Sequence, residues 1–216
     1  MRPILILIPA FNAAKYLGAV LQKCPYPVLV IDDGSTDATA AVARQHGARV
    51  LRHDRNRGKG AALRSGFQAA LKSGASAVIT LDADGQHEPR FIPEFLLEAE
   101  RTTAAVLVGV RQRSAMPWAR RLSNSVTSAI LSWCTGEPIP DSQCGYRYIH
   151  SSVLEAVELR SDRYQAESEF LLRAVRLGFG IGAVPISTVY AGESSHIRHL
   201  RDTWNFVQLV VRSRFW

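Results

Sequence analysis

Short, almost unbroken apolar runs alternate with longer stretches in which apolar positions recur every three or four residues, and this alternation organises the first half of the chain. Ile4–Ile8, Val28–Ile31, Arg49–Arg52, Ala77–Leu81 and Ala105–Gly109 are short and mostly β-branched, and are read as strands. Between them, Ser35-Thr36-Asp37 caps a helix that Gly47 ends, and a second helix runs from about Gly60 to Lys72 and stops at Gly74. The order βαβαβαβαβ predicts a mostly parallel central sheet covered by helices on both faces.

After Gly109 the pattern changes. An Arg-rich stretch from Arg111 to Arg121, including Arg113, leads into a helix reaching about Trp133, and a turn-rich segment spans Gly136 to Gly145. A strand near Tyr146–Ile149, a helix from about Ser168 to Leu177 closed by Gly178, and a strand near Gly182–Val189 follow. Ile197, Leu200, Trp204, Val207 and Val211 keep helical spacing, with Arg198, Arg201, Arg212, Arg214, Phe206, Phe215 and Trp216 around them. That final helix suits either a membrane surface or a place packed on the sheet. No repeat or linker divides the chain, so residues 1–216 are expected to form one domain.

Composition adds bounds. At 216 residues, 47% hydrophobic and 21% charged, the chain has the make-up of an ordinary globular fold. Cys24, Cys134 and Cys144 match no zinc spacing and are expected to be reduced thiols. Ile4–Ile8 is too short for an export signal and runs into Pro9-Ala10-Phe11-Asn12, so the expected location is the cytoplasm. No apolar run approaches the ~18 residues needed to span a bilayer. The net charge of +7 attracts polyanions in general, and without a helix-turn-helix, zinc or aromatic-basic RNA motif it gives no reason to expect a nucleic-acid partner.

The chemistry concentrates at two strand ends. Thr80-Leu-Asp-Ala-Asp-Gly-Gln-His87 ends an apolar strand in two carboxylates, Asp82 and Asp84, which share a site if the chain turns at Gly85. Ligands of open α/β sheets sit at this edge, and hard carboxylate oxygens there suit Mg²⁺ or Mn²⁺ bridging a diphosphate. Val30-Ile-Asp-Asp-Gly-Ser-Thr-Asp37 ends a second strand in the same way; one of its carboxylates is placed to accept from a base N–H or ribose hydroxyl, and Asp37 is assigned the structural, capping role. Arg55-Asn-Arg-Gly-Lys-Gly60 opens a helix whose N–H groups, with Lys59, offer a phosphate contact, although it is no P-loop. Gly178-Phe-Gly-Ile-Gly182 precedes a strand and is a turn, with no dinucleotide fingerprint.

Ile8-Pro-Ala-Phe-Asn12, Val30–Asp37, Asn56-Arg-Gly-Lys-Gly60, Leu81-Asp-Ala-Asp-Gly-Gln86 and Asp141-Ser-Gln-Cys-Gly-Tyr-Arg147 together resemble the family 2 inverting glycosyltransferases of GT-A fold, nearest to the dolichol-phosphate mannosyltransferase and polyprenyl-phosphate glycosyltransferase branch. The resemblance implies an α/β fold whose residues 1–110 bind the nucleotide-sugar and whose residues 111–216 bind the acceptor. It implies that Pro9, Ala10 and Phe11 line the nucleotide pocket, that Asp33 meets the base, that Asp82 and Ala83 face the donor, and that Asp84 and Gln86 hold the metal. Ala13 stands where many relatives carry Glu, which leaves UDP and GDP both open.

Arg111, Arg120, Arg121 and Arg147 are the arginines the resemblance nominates for an acceptor phosphate, and Met116-Pro117-Trp118 sets apolar surface among them. His196 sits where relatives carry a mobile basic loop. Asp141, Glu167 and Glu169 are the candidate bases that an alcohol acceptor would require; a phosphate acceptor needs none, and there the same carboxylates orient arginines or the sugar. Helical spacing keeps Glu167 and Glu169 from facing the cleft together. The expected activity is transfer from a UDP- or GDP-sugar to a polyprenyl phosphate, with peripheral membrane contact at the cytoplasmic face. Transfer to a sugar or lipid hydroxyl and a non-catalytic binding module are the alternatives.

Overall fold

The structure, a computed structural model, describes residues 3–102, 104–112, 114, 116–188 and 199–213, with backbone only for 199–204. Strands β1 (Ile4–Ala10), β2 (Val28–Asp32), β3 (Arg49–Arg52) and β4 (Ala77–Thr80) alternate with helices α1 (Ala14–Leu21), α2 (Thr39–Gln45) and α3 (Lys59–Lys72). A single 3₁₀ turn, Pro89–Phe91, leads into α4 (Ile92–Arg101) and β5 (Val106–Arg111). Then come α5 (Trp118–Thr135), β6 (Arg147–His150), α6 (Ser151–Ala156), α7 (Gln165–Arg176), β7 (Ile181–Ile186) and α8 (His199–Ser213). The expected elements are present; β7 ends at Ile186, short of Val189, which lies outside the described residues, and the short α6 carried no sequence signal.

One seven-stranded sheet has the order β3-β2-β1-β4-β6-β5-β7. All neighbours are parallel except β6, which runs antiparallel between β4 and β5. Burial explains which runs lack alternation: all four residues of β4 are buried because helices cover both faces, whereas the edge strand β3 exposes Arg49 and Arg52. The core gathers Ile6, Leu7, Ile8, Ile79 and Leu107 from the sheet with Phe95, Leu131 and Leu171 from the helices. Phe67 of α3 meets Phe170 of α7 with ring centroids 5.7 Å apart, fixing those two helices to each other.

The antiparallel strand decides what reaches the functional edge. Register pairs Arg147 with Thr80 of β4 and with Val108 of β5, so β6 begins where its neighbours end. Gly145 and Tyr146 therefore arrive at the same edge as the carboxyl ends of β4 and β5. Across the sheet, the loops after β1 and β2 are laced together: Asn12, at φ 50°, donates its N–H to Ser35 Oγ (2.9 Å), and Thr36 N–H donates to Asn12 Oδ1 (2.9 Å).

The C-terminal helix packs on α7 with Leu209 and Ser213 buried, and Arg176 donates to the Ser213 carbonyl. Packing on the body is thus the place it takes, with Val207 and Val211 outward. Ile197, Arg198, Arg214, Phe215 and Trp216 lie outside the described residues. Met116 is buried and belongs to the core rather than to surface among the arginines, while Trp118 is exposed.

Asp37 does what a capping carboxylate does. Its Oδ1 accepts from Thr39 N–H and Oγ–H, and its Oδ2 from Ala14 N–H (3.1 Å), tying the starts of α1 and α2. Burial pushes its pKa up, but the hydrogen bonds from Thr39 and Ala14 together bring it below the usual value. Asp37→Ala is expected to cost about 1 kcal/mol, roughly 2–4 °C in Tm. Because the native pKa is depressed, the contribution is present above the unfolded value of about 3.9 and is lost as pH falls through the native one. The difference between wild type and variant in thermal melts should therefore narrow toward acid pH.

Candidate active site

The carboxyl edge of the sheet collects Asp82 after β4, Lys59 at the start of α3 and Glu167 in the first turn of α7 around one cation. Lys59 Nζ lies 2.6 Å from Asp82 Oδ1 and 2.8 Å from Glu167 Oε1, with side-chain exposures of 17%, 23% and 9%. Burial alone would lower the pKa of Lys59, but the two carboxylates outweigh it and hold it above its ordinary value. Asp82 feels the reverse: burial pushes its pKa up, and Lys59, then His87 and Arg111, bring it down. Lys59 and Asp82 are thus both held in their charged forms at neutral pH. Gly145 makes room for it, since a Cβ there would lie 2.6 Å from Asp82 Oδ2.

The same α3 start is fastened to its surroundings by its backbone. Gly58, at φ 99°, donates its N–H to Asp33 Oδ2 (2.7 Å), and Gly60 N–H donates to the Asp162 carbonyl (2.8 Å), as does Ala61 N–H (3.3 Å). The N–H groups expected to offer a phosphate contact are thus engaged within the chain, that of Gly58 by Asp33 and those of Gly60 and Ala61 by Asp162. Lys59 faces the site, engaged by carboxylates.

Asp33, which the resemblance places against the base, is engaged by its own chain. It is 3% exposed, and its carboxylate takes Arg57 N–H (2.9 Å) and Gly58 N–H while His53 Nδ1 lies 2.7 Å from Oδ1. Buried among these partners, it orders the turn between β3 and α3. His53, whose Nε2 meets Ser65 Oγ at 2.9 Å, is a buttress that the sequence did not single out, because its partners are distant along the chain. At the end of β1 Ala10 is buried, Pro9 half-buried and Phe11 43% exposed, so Phe11 presents the open apolar surface.

A second ion pair stands at the end of β5. Arg111 Nε and Nη2 each lie 2.8 Å from one oxygen of Asp141, a bidentate pair with side-chain exposures of 10% and 2%. Arg147 does not join it. Its guanidinium, 3% exposed in the residue, donates to the carbonyls of Cys144 (2.8 Å), Glu167 (2.9 Å) and Ser142 (2.9 Å). Nominated by the resemblance for an acceptor phosphate, Arg147 here bridges the loop before β6 and the start of α7 through these three carbonyls. Arg120 and Arg121 stand on the first turn of α5, with Arg121 beside exposed Trp118 and Leu122. Arg113 and His196 lie outside the described residues.

Glu169 accepts from Ser161 N–H (2.7 Å) and pairs with Arg173 Nε (2.7 Å), away from Lys59. Of the two glutamates, Glu167 therefore faces the site. After Asp82, buried Ala83 turns the chain inward, and Asp84 Oδ1 accepts Gln86 N–H (2.9 Å) across a turn in which Gly85 has φ 75°. His87 is buried against Tyr146; burial, countered by Asp82 and reinforced by Arg111 and Lys59, lowers its pKa to about 4 and keeps it neutral. Among the described residues no group of three or more His, Cys, Asp or Glu side chains is placed to hold a metal alone. The oxygen donors of Asp84 and Gln86 fit a Mg²⁺ or Mn²⁺ that takes its remaining ligands from substrate phosphate and water.

Residues 5–157 match the family described as Glycosyl transferase family 2. The chain belongs to that family. It is 31% identical over 202 residues to polyprenol monophosphomannose synthase of Mycolicibacterium smegmatis, covering 85% of this chain and 76% of the relative. It is 30% identical over 215 residues to the UDP-N-acetylglucosamine–dolichyl-phosphate N-acetylglucosaminyltransferase of Methanococcus voltae, covering 87% and 86%. In fold it is similar to glucosyl-3-phosphoglycerate synthase of Mycobacterium tuberculosis in complex with UDP, with a TM-score of 0.79 at 19% identity over 98% of this chain and 80% of that one. The same enzyme with Mn²⁺ and UDP-glucose gives a TM-score of 0.75 at 20% identity over 98% and 77%. The family 2 chain is thus a glycosyltransferase with the GT-A arrangement.

Two substitutions separate the Arg147 bridge from the site. Gly145→Ala drives a methyl into the Asp82 carboxylate that Lys59 already holds, and steady-state assays are expected to show transfer slowed about 100-fold with the fold retained. Arg147→Ala orphans three buried carbonyls and should cost about 3 kcal/mol, roughly 6–12 °C in Tm, in contrast with a pure loss of acceptor affinity.

Proposed function

We propose that this glycosyltransferase moves one sugar, with inversion, from a nucleoside-diphosphate sugar to a polyprenyl phosphate, assisted by a divalent metal. One observation carries the choice of acceptor. Asp141, Glu167 and Glu169, the carboxylates that would have to deprotonate a hydroxyl, are each engaged by a cation: Arg111, Lys59 and Arg173. A hydroxyl acceptor needs a base with a free lone pair and a proton-accepting role; a phosphate oxygen is already anionic and needs neither. Arg111, pre-oriented by Asp141, supplies a planar cation for that phosphate, and Arg120 and Arg121 extend positive charge along α5. The names of the two relatives above, which act with polyprenol and dolichyl phosphate, support the same class.

On this reading Phe11 packs on the base between Pro9 and Ala10, and Asp82, held by Lys59, orients the sugar. Asp84 and Gln86 hold Mg²⁺ or Mn²⁺, whose contribution when bound is to offset charge on the leaving diphosphate. An oxygen of the acceptor phosphate forms the new bond to the anomeric carbon from the face opposite the diphosphate. The old bond to the diphosphate oxygen breaks and its electron pair leaves with the nucleotide. The Mn²⁺ and UDP-glucose found in the structurally similar synthase support the donor class, while UDP and GDP remain the two donors to compare.

Thermal shift with UDP and GDP, each with and without Mn²⁺, checks the donor half. One nucleotide with Mn²⁺, at about a hundred times its Kd, is expected to raise Tm by roughly 5–10 °C, and Asp84→Ala to abolish the rise. No shift with either nucleotide would sink the donor site. Transfer of labelled sugar to a polyprenol hydroxyl in preference to the phosphate would sink the acceptor assignment.

A further inference from the structure

Helix α5 has two unlike sides. At about 100° per residue, Trp118, Leu122, Val126, Ala129 and Trp133 fall within an arc of about 80°. All five are exposed, Trp118 by 79% and Trp133 by 72%. Most of the rest of the helix surface is buried to half-buried and polar in a specific way: Ser128 Oγ accepts Ser142 N–H (3.0 Å), Ser132 Oγ accepts Ile139 N–H (2.9 Å), and Ser142 Oγ–H donates to Thr127 Oγ1 (3.1 Å). That surface carries the loop on which Asp141 stands.

Charge distinguishes the outer face further. Between Glu100 and Glu137 the sequence contains no Asp or Glu, while Arg111, Arg113, Arg120 and Arg121 fall in the same interval. Arg121 is exposed beside Trp118, Leu122 and Ser125. Two tryptophans about 22 Å apart along the helix axis, aliphatic side chains between them, arginine at one end and no carboxylate make an uncommon solvent face for a helix of this length.

We infer that the outer face of α5 docks on a bilayer carrying anionic lipid headgroups, lying in the plane of the interface with Trp118 and Trp133 as its anchors. Indole rings favour the headgroup boundary, where an apolar ring and a polar N–H are both satisfied. Leu122 and Val126 enter the acyl boundary between them, and Arg121 meets lipid phosphate. The charge complementarity selects an anionic surface over a neutral one. Because the same helix grips the Asp141 loop from its other side, docking sets the Arg111–Asp141 pair about one helix diameter, ~10 Å, from the headgroups. That last link to an acceptor rests on the polyprenyl-phosphate reading; the docking surface does not.

The test uses the full chain, co-sedimented with vesicles of phosphatidylcholine alone or mixed with phosphatidylglycerol. The variants are Leu122→Glu with Trp133→Glu and, separately, Trp118→Ser. Melting temperature and transfer to a short-chain, water-soluble polyprenyl phosphate are measured alongside without lipid. Wild type is expected to bind the mixed vesicles, more weakly as salt rises, and the double variant to lose about tenfold or more of that binding with melting temperature and lipid-free transfer unchanged. Equal sedimentation of wild type and both variants overturns the inference. So does a wild type that ignores the mixed vesicles, including one that instead self-associates through this face. Binding that the variants lose, in a wild type that transfers no sugar to polyprenyl phosphate, supports the surface and removes the acceptor reading alone.

Discussion

The Lys59 ammonium is the point on which the functional edge depends. It stands between the carboxylates of Asp82 and Glu167, and so between the end of β4 and the start of α7. Without that cation, two largely buried carboxylates would face each other, and one of them would have to protonate or withdraw. With it, three segments distant in sequence share a single charge-balanced contact, and Asp82 is fixed in orientation before any substrate arrives. The segment that delivers Lys59 is itself fixed by bonds of Gly58 to Asp33 and of Gly60 and Ala61 to Asp162. Rigidity of this part of the edge thus comes from backbone N–H groups, leaving the side chain of Lys59 to face the site.

Around this contact the edge is divided by role. Arg147 and Asp33 are buried and hold loops; Arg111 and Asp141 are paired at the end of β5; Asp84 and Gln86 lie across a glycine turn after β4. The division follows from the antiparallel strand β6. Inserted between β4 and β5, it brings Gly145 against Asp82 and sends Arg147 inward to the carbonyls on either side. Helix α5 extends the same logic outward, with its polar side gripping the Asp141 loop and its apolar side open to solvent.

The strands and the positions of both carboxylate pairs were legible because each rests on local information: apolar run length, glycine stops and the rule that ligands sit at carboxyl strand ends; the GT-A class came instead from the resemblance of five short motifs to a family. Asp37 was readable as a cap for the same reason, since its partner Thr39 is two residues away. Which acidic side chain of the pair in α7 faces the cleft was not readable, because residues two apart on a helix differ by about 200° and only the neighbouring segments decide which of the two is inward.

The sequence alone therefore determined the elements, the family and the strand ends that carry chemistry, all properties of contiguous residues. The tertiary structure decided the partners. Arg147 reads in sequence like any cation of an Asp…Gly-Tyr-Arg motif, yet the insertion of β6 buries it among three carbonyls. Asp33 reads like a ligand group, yet Arg57, Gly58 and His53 fold back onto it. A charged side chain near neutral pH must find a partner wherever it is withdrawn from water, and which partner is near is set by packing between segments far apart in the chain.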